Sequence, residues 1–188
     1  MIPALPLSPT ISRVGPLAMA AALSLALCAC GGAGRLLADV PDAQKAPRTV
    51  AIKLVAGNKL NIDARGQSLA LVTRVYKLRQ RAAFDQAPFD TFLTAQKEQQ
   101  VLGADLLEVK EIMLIPGQRV ELAEKVSREA GFVGVVALYH TASPQRWRVS
   151  MPAAEAEKTG LTVAANACAL SVAGDTEAAK ARPAARCQ

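Results

Sequence analysis

The chain has 188 residues, of which 51% are hydrophobic and 20% are charged, and its formal net charge is +6. This length is enough for one domain with a buried core. The basic residues are spread along the chain and are not gathered into a run with aromatic residues between them, so the composition indicates ordinary solubility, with some attraction to acidic surfaces, and argues against nucleic-acid binding.

The first segment has the features of a secretory signal. Arg13 is the only charged residue before Cys30, and a run of small and apolar residues follows it from Leu17 to Leu27. A membrane-spanning helix needs about 20 apolar residues, and this run is shorter and is followed by glycines. We therefore predict that residues 1–29 are removed as a signal peptide.

The predicted cleavage site resembles the bacterial lipobox, in which a leucine lies three positions before an obligatory cysteine. Cys30 fits this pattern because Leu27, Cys28 and Ala29 precede it. Cys28 does not fit, since the bulky Leu27 would then lie at the scissile bond. The resemblance implies that Cys30 carries a diacylglycerol on its sulfur and a third acyl chain on its amine. Two acyl chains already hold a protein stably, so three form a permanent anchor.

Gly31 occupies the position at which an aspartate retains lipoproteins at the inner membrane. By the same resemblance, the predicted destination is the outer membrane. The alternative is ordinary cleavage near Ala29, which would leave a soluble periplasmic protein.

Residues 30–48 have no periodic apolar pattern and predict a flexible tether. The folded domain is predicted over residues 49–173. Its first strand, residues 49–55, alternates apolar and polar side chains. Residues 58–68 are rich in turn-forming residues and predict a loop that is too long for a tight hairpin. A second strand, residues 69–79, is apolar on both faces, as expected in the middle of a sandwich.

A single helix is predicted after the second strand. Asp85 is a suitable N-cap, and Pro88 suits a first turn because its missing N–H would be unsatisfied there. The helix is predicted to end by Gly103 and to pack one apolar stripe against the sheet. The stripe consists of Phe89, Phe92 and Leu93.

Strands are predicted for most of the remaining domain. Residues 107–126 alternate on both sides of the Pro116–Gly117 turn signal and predict a β-hairpin. Three further strands follow: residues 132–139, residues 146–151 and, after a polar, alanine-rich connection, residues 161–172. About seven to eight strands with a short helical insert after the second predict a mainly β fold, a β-sandwich.

Cys168 and Cys187 are the two cysteines left to form a disulfide, because Cys28 is predicted to leave with the signal peptide and Cys30 to be acylated. Residues 174–188 predict a disordered tail unless Cys187 fixes it. An oxidising periplasm permits a disulfide between Cys168 and Cys187. The sequence does not show whether the geometry allows it, and Cys168 is equally compatible with a buried small residue.

The sequence offers no catalytic or metal-binding constellation. His140 is the only histidine, and no Cys-x-x-Cys, His-x-x-x-His or Gly-x-Ser-x-Gly spacing accompanies it. Two carboxylate pairs, Glu108 with Glu111 and Glu121 with Glu124, lie mostly on the polar faces of strands, so we predict that they are solvated. We therefore expect no enzyme activity, no cofactor, no metal and no nucleic-acid partner.

Several short segments between residues 49 and 172 carry a family resemblance. They are Leu60-Asn61-Ile62-Asp63 with Gly66 and Leu69, Arg74-Val75-Tyr76-Lys77-Leu78, Phe84 with Phe89 and Leu93, Leu102-Gly103 with Asp105-Leu106-Leu107, Leu114-Ile115-Pro116-Gly117, Val133-Gly134-Val135-Val136-Ala137 and Arg146-Trp147-Arg148. In this order behind a lipobox, the chain resembles the TssJ family, the outer-membrane lipoproteins of the type VI secretion system that are also called SciN or VasD. Two features depart from the family pattern. Ile62 occupies a position where the family has proline, and the tail after Gly174 lies outside the pattern.

The resemblance implies a transthyretin-like β-sandwich that is lipid-anchored in the outer membrane and faces the periplasm. It also implies that the loop after the first strand docks onto the periplasmic C-terminal region of the inner-membrane protein TssM, and through it onto the TssL–TssM complex. In this chain that loop comprises Asn58, Lys59, Leu60, Asn61, Ile62, Asp63, Ala64, Arg65, Gly66 and Gln67.

The loop has two interpretations. Leu60 and Ile62 can act as apolar anchors inside a polar rim of Lys59, Asp63 and Arg65, or they can fold back onto the sandwich; the resemblance favours the first. Two other classes of protein remain as alternatives. A periplasmic ligand-binding or inhibitor lipoprotein predicts a deep apolar pocket, and an enzyme predicts polar groups that converge in a cleft.

Overall fold

Two four-stranded β-sheets build the domain in the computed structural model, which describes residues 45–144, 146–173 and 187. In this part of the chain the strands are β1 Arg48–Ala56, β2 Leu71–Leu78, β3 Leu106–Leu114, β4 Arg119–Val126, β5 Phe132–Ala137, β6 Arg148–Pro152, β7 Leu161–Ala165 and β8 Leu170–Val172. The α-helices are α1 Ala82–Gln86, α2 Ala95–Leu102 and α3 Ala153–Thr159, and 3₁₀ helices span Phe89–Leu93 and Gly103–Asp105. The predicted β-sandwich is confirmed. The predicted signal peptide, Cys30, most of the tether and all of the tail except Cys187 lie outside the described residues.

The strand orders of the two sheets are β4-β1-β7-β8 and β3-β2-β5-β6. β2 lies between β3 and β5 and pairs antiparallel with both. The prediction of a β-hairpin across Pro116–Gly117 is wrong, because β3 pairs with β2 whereas β4 pairs with β1 in the other sheet. The turn therefore carries the chain from one sheet to the other. On β4 the alternating residues Val120, Leu122 and Val126 face the core, whereas on β3 the alternating residues Val109 and Met113 are 42% and 61% exposed.

The predicted last strand is in fact two strands. β7 pairs parallel with β1, and β8 folds back antiparallel on β7 after a turn at residues 166–169. The alanine-rich connection before β7 is helical: α3 buries Ala153 and Ala156 and ends at Gly160, whose φ of 70° suits glycine. These small side chains allow the helix to lie close to the sheet.

The predicted single helix is a series of short helical segments. Pro88 and Thr94 both have extended backbone, and each therefore separates two of the helical segments. Thr94 caps α2, because its hydroxyl accepts from the Lys97 N–H at 3.4 Å. The predicted cap Asp85 instead lies inside α1. Leu93 is 53% exposed, so its place in the packed stripe was wrong.

Aromatic side chains fix this insert on the second sheet. The Phe92 ring lies 5.8 Å from the Tyr76 ring and 5.3 Å from the Trp147 ring, measured between centroids. Phe84 packs so closely over Gly134 that a Cβ there would lie 2.7 Å from the ring. The stacking of Phe92 and Phe84 on β2 and β5 is therefore core packing.

The two sheets enclose a charged pair near one edge. Lys77 of β2 is 6% exposed and Glu124 of β4 is 7% exposed, and their Nζ and Oε2 atoms are 3.2 Å apart. Lys110 adds a contact of 2.7 Å to Glu124, and Glu108 accepts from Lys77 at 2.8 Å. The prediction that Glu124 is solvated was wrong, because two lysines offset the cost of burying its charge.

Glu98 is a second buried carboxylate, and its pKa is shifted in the opposite direction to the pKa of Glu124. Burial acts to raise the pKa of the Glu124 carboxyl, but hydrogen bonds from Lys110 and Lys77 outweigh it and the pKa is lowered. Burial raises the pKa of Glu98, which is 2% exposed, and the charge of Arg74 offsets this only in part. The two residues therefore make contributions of opposite sign to the pH dependence of stability.

Replacement of Glu124 by Gln should reduce the loss of stability in acid. Because the folded-state pKa of Glu124 is lowered, its stabilisation is present above the ordinary pKa and is lost as pH falls through the folded value. Urea unfolding at a series of pH values between about 6 and 3 measures this slope. Glu98→Gln is the matched control: its raised pKa makes the wild-type stability fall as pH rises above the ordinary value, so this variant should change the slope in the other direction. Equal slopes for Glu124→Gln and the wild type would contradict the assignment.

Candidate functional site

The loop predicted to bind a partner lies at one end of the sandwich. β1 enters the sheet at Arg48 and ends at Ala56, directly before the loop. A strand of nine residues spans about 30 Å. We call the end with residues 57–70, together with the segments that contact them, the loop pole, and the end with residues 45–48 the entry pole.

Two turns from elsewhere in the chain meet the loop at this pole. The Gly117 N–H of the β3–β4 turn donates to the Gly57 carbonyl at 3.2 Å, and the Gly57 N–H donates to the Ala165 carbonyl at 2.8 Å. The second bond brings the β7–β8 turn beside the start of the loop. The loop pole is thus a composite of separate segments of the sequence.

The tip of the loop is a compact turn organised by Asp63. Its Oδ1 atom accepts hydrogen bonds of 2.8 Å from the N–H groups of Arg65 and Gln67. Ile62 and Ser68 form a single β-bridge below it, and Gly66 has a φ of 75°. Asp63 therefore shapes the turn, as aspartate commonly does by bonding to nearby backbone, and Lys59 and Arg65 remain as its exposed charges.

Asn61 fixes the base of the loop. Its φ of 44° lies in the left-handed region, which asparagine tolerates better than most residues. Its side chain donates to the Ala70 carbonyl and accepts from the His140 N–H, both at 2.7 Å. The amide therefore joins the two ends of the loop to the segment after β5. Its role is internal, and the residue is only 6% exposed rather than presented to a partner.

Leu60 does not project from the loop. It is 0% exposed and belongs to the core between the sheets, so the interpretation of Leu60 as an anchor for a partner is corrected: it folds back onto the sandwich. Ile62 is half-buried. The exposed members of the predicted loop are Asn58, Lys59, Ala64, Arg65, Gly66 and Gln67.

Exposed apolar side chains lie at or near the same pole, outside the predicted loop. Leu69 is 37% exposed, Met113 is 61% exposed and Ile115 is 55% exposed. Met113 pairs with Val72 at the start of β2, and Ile115 precedes the turn that contacts Gly57. The sequence assigned Met113 and Ile115 to strand packing because their alternation fitted a hairpin, so their exposure was missed.

Cys168 and Cys187 are joined by a disulfide in the structure, with their Cα atoms 5.6 Å apart. Cys168 lies in the β7–β8 turn and is 1% exposed. Since this turn belongs to the loop pole, the bond places Cys187, near the end of the chain, at the loop pole as well.

The described residues do not bring together a catalytic or metal-binding group. His140 is exposed and contributes its backbone N–H, rather than its imidazole, to the loop contact. Within residues 45–144, 146–173 and 187, no cluster of three or more His, Cys, Asp or Glu side chains could hold a metal ion. In the same part of the chain no helix is both long enough and apolar enough to span a bilayer.

A pocket of about 230 Å³ lies between α2 and β3. Its charged residues are paired with one another: Arg74 donates to Glu98 at 2.7 Å and to Glu111 at 2.9 Å. Ligand pockets are usually about 300–1,000 Å³ and mainly apolar. This pocket does not match the deep apolar cavity expected of a ligand-binding lipoprotein. Its lining consists of Arg74, Ala95, Glu98, Gln99, Leu106, Val109 and Glu111.

These features define a small two-sheet β-sandwich with a helical insert and a composite loop surface at one pole. The model of a family described as type VI secretion lipoprotein (VasD, EvfM, TssJ) matches residues 48–168. The chain belongs to this family. It is thus a TssJ-like lipoprotein of the type VI secretion system, and the resemblance stated from its motifs is confirmed.

Solved structures share the fold. The type VI lipoprotein TssJ1 of Pseudomonas aeruginosa is 29% identical with a TM-score of 0.58, over 73% of this chain and 98% of that chain. Serratia marcescens Lip, a membrane-bound component of the type VI secretion system, is 25% identical with a TM-score of 0.59, over 67% and 97%. A chain in a structure described as the TssM C-terminal domain from EAEC is 25% identical with a TM-score of 0.57, over 66% and 97%. No curated protein matches the chain.

Proposed function

We propose that this chain is an outer-membrane lipoprotein, anchored through Cys30 and facing the periplasm, that docks the periplasmic part of the inner-membrane protein TssM. The docking loop comprises residues 58–67. The observation that carries the proposal is the position of this loop at the pole opposite to residues 45–48, through which the chain enters the domain. The likeness to a chain in the structure described as the TssM C-terminal domain supports TssM as the partner.

The two poles suit a protein that links two membranes. A tether of residues 30–48 reaches at most about 60 Å when extended, and it joins the domain at the entry pole. The loop pole therefore faces away from the anchored end of the domain, and β1 separates the two by about 30 Å. A partner from the opposite membrane would meet the loop pole first.

The exposed residues define the chemistry of the partner surface. Lys59 and Arg65 present positive charge at the docking loop, and Met113 and Ile115 present apolar surface beside it. Protein interfaces commonly combine an apolar centre with a polar rim. TssM should therefore offer an apolar patch with acidic residues near its margin.

The proposed role is binding and not catalysis. The charged side chains of the described pocket pair with one another, and the hydrogen bond of His140 to the loop is made by its backbone N–H rather than by its imidazole. A lipoprotein that works by docking needs a loop of fixed conformation, and the hydrogen bonds at Asn61 and Asp63 fix this one.

Reversal of the two loop charges should weaken docking. Lys59→Glu with Arg65→Glu places negative charge where we expect acidic residues of TssM, so the affinity should fall at least about tenfold through like-charge repulsion. Co-purification of the anchored chain with the TssM periplasmic domain, followed by titration in detergent, measures the loss. Both side chains are exposed, so the melting temperature should stay unchanged.

A control with the same change in net charge distinguishes local docking from general electrostatics. Lys125→Glu with Lys158→Glu alters two exposed residues away from the docking loop, with Lys125 beside Thr49 near the entry pole. This variant should bind TssM like the wild type. If the loop variant also binds like the wild type, the docking loop has no part in the interface and the proposal fails.

A further inference from the structure

The β7–β8 turn, residues 166–169, supports the docking loop. The Asn61 N–H donates to the Asn166 carbonyl at 3.2 Å, and the Ile62 N–H donates to the Ala167 carbonyl at 3.0 Å. These bonds join the base of the loop to two successive carbonyl groups of the turn. A displacement of the turn would therefore move or release the loop.

Regular secondary structure holds this turn only weakly. β8 is three residues long and lies at the edge of its sheet, so the strand after the turn has a short hydrogen-bonded ladder. Beyond that ladder, the Cys168 carbonyl accepts from the Ser143 N–H at 2.8 Å, and the Leu170 N–H donates to the Arg146 carbonyl at 2.6 Å. Both bonds reach the segment before β6 and not a strand of the same sheet.

The disulfide adds a covalent link at the turn itself. Cys168 is 1% exposed and is bonded to Cys187, 19 residues later in the sequence. It directly follows Asn166 and Ala167, whose carbonyls hold the loop. A cross-link restricts the conformations that an opened segment can reach, so it disfavours local opening of this turn.

We propose that the Cys168–Cys187 disulfide is a positioning element that holds the β7–β8 turn, and through it the docking loop, in the conformation that binds TssM. This role rests on the function proposed above. The physical basis is preorganisation: a loop that is already fixed loses less conformational entropy when a partner docks. The two cysteines act through the loop as positioning residues.

Removal of the disulfide should loosen the loop more than the rest of the domain. In the variant Cys168→Ala with Cys187→Ser, peptides that contain Asn61 and Ile62 should exchange their amide hydrogens roughly tenfold faster, because opening of the turn breaks the bonds that protect them. Peptides from β2 and β5 should keep the wild-type rate. The measurement uses hydrogen exchange with mass spectrometry on the lipid-anchored chain, purified in detergent after export to the periplasm.

Two further samples guard against a trivial loss of folding. Wild-type protein treated with a dithiol reductant tests the broken bond without any substitution, and should show the same faster exchange in the loop. Leu107→Ala, which truncates a half-buried side chain of β3 toward the entry pole, lowers stability without touching the turn. It should leave the ratio of loop exchange to β5 exchange unchanged.

The affinity for TssM tests the docking proposal, and hydrogen exchange of the loop tests the positioning role of the disulfide, so the two proposals can fail separately. With the disulfide absent, the affinity for the TssM periplasmic domain should fall several-fold while the protein stays folded. The positioning role is overturned if purified wild type has two free thiols, if the loop exchanges at the wild-type rate without the disulfide, or if faster exchange leaves affinity unchanged. If the wild type does not bind TssM, the docking proposal fails, and the exchange result alone still decides whether the disulfide holds the loop.

Discussion

Replacement of Cys30 by Ser should abolish acylation and remove the protein from the outer-membrane fraction. The predicted lipobox would place acylation on this cysteine, and three acyl chains with about 0.8 kcal/mol per buried CH₂ group would give an effectively permanent anchor. Serine has no thiol to receive the diacylglycerol. Palmitate labelling should therefore fall to background, and fractionation should recover the variant as a soluble or uncleaved protein.

Cys28→Ser is the matched control for this prediction. Cys28 lies two residues before Cys30, and the predicted cleavage before Cys30 removes it with the signal peptide. This variant should incorporate palmitate and remain in the outer membrane. Labelling that disappears with Cys28→Ser but persists with Cys30→Ser would show that the lipobox has been placed at the wrong cysteine.

The strands could be predicted because their signal is local. A strand such as β1, with one face on the core and one face in solvent, has apolar residues at every second position. β1 lies within one residue of the segment predicted from alternation, and β5 lies within two residues of the segment predicted from its almost wholly apolar sequence. Pairing is not a local property, and for this reason the sequence around Pro116 and Gly117 suggested a hairpin where the chain in fact changes sheets.

The pairing of the buried charges could not be predicted from the strand that carries them. Glu124 is in phase with Val120, Leu122 and Val126, so alternation places it on the core face of β4, but Lys77, which pairs with it, comes from the facing sheet. The division of the helical insert into short segments could not be predicted from the local sequence either. Thr94 ends one helical segment and begins another, and nothing in the local spacing of aromatic residues indicates that break.

The position of the docking loop could be predicted from the sequence, but the direction of its side chains could not. Turn-forming residues located the loop, and the resemblance to the family assigned its role. Leu60 and Ile62 are equivalent in sequence as apolar residues of a loop. The structure separates them because the left-handed backbone at Asn61, between them, turns the chain. Leu60 lies in the core, whereas Ile62 is half-buried in the loop.

Leu60→Ala should destabilise the domain strongly, while Ile62→Ala should have a small effect. Leu60 is 0% exposed, so its truncation removes buried methyl groups and leaves a cavity, at a cost of about 3 kcal/mol. For a domain of this size the melting temperature should fall by roughly 10 °C. Ile62 is only half-buried, so its truncation should cost about 1 kcal/mol. Thermal and urea unfolding of the two single variants measure the difference.

Binding of the same variants to TssM decides whether Leu60 acts only through folding. At a temperature where Leu60→Ala remains folded, its affinity for the TssM periplasmic domain should stay close to that of the wild type, because the buried side chain does not reach the partner. A double variant, Leu60→Ala with Ile62→Ala, would combine a folding defect with any interface defect, so its binding could not separate the two effects. Wild-type stability together with lost binding in Leu60→Ala would show that Leu60 is an interface anchor, and would contradict its place in the core.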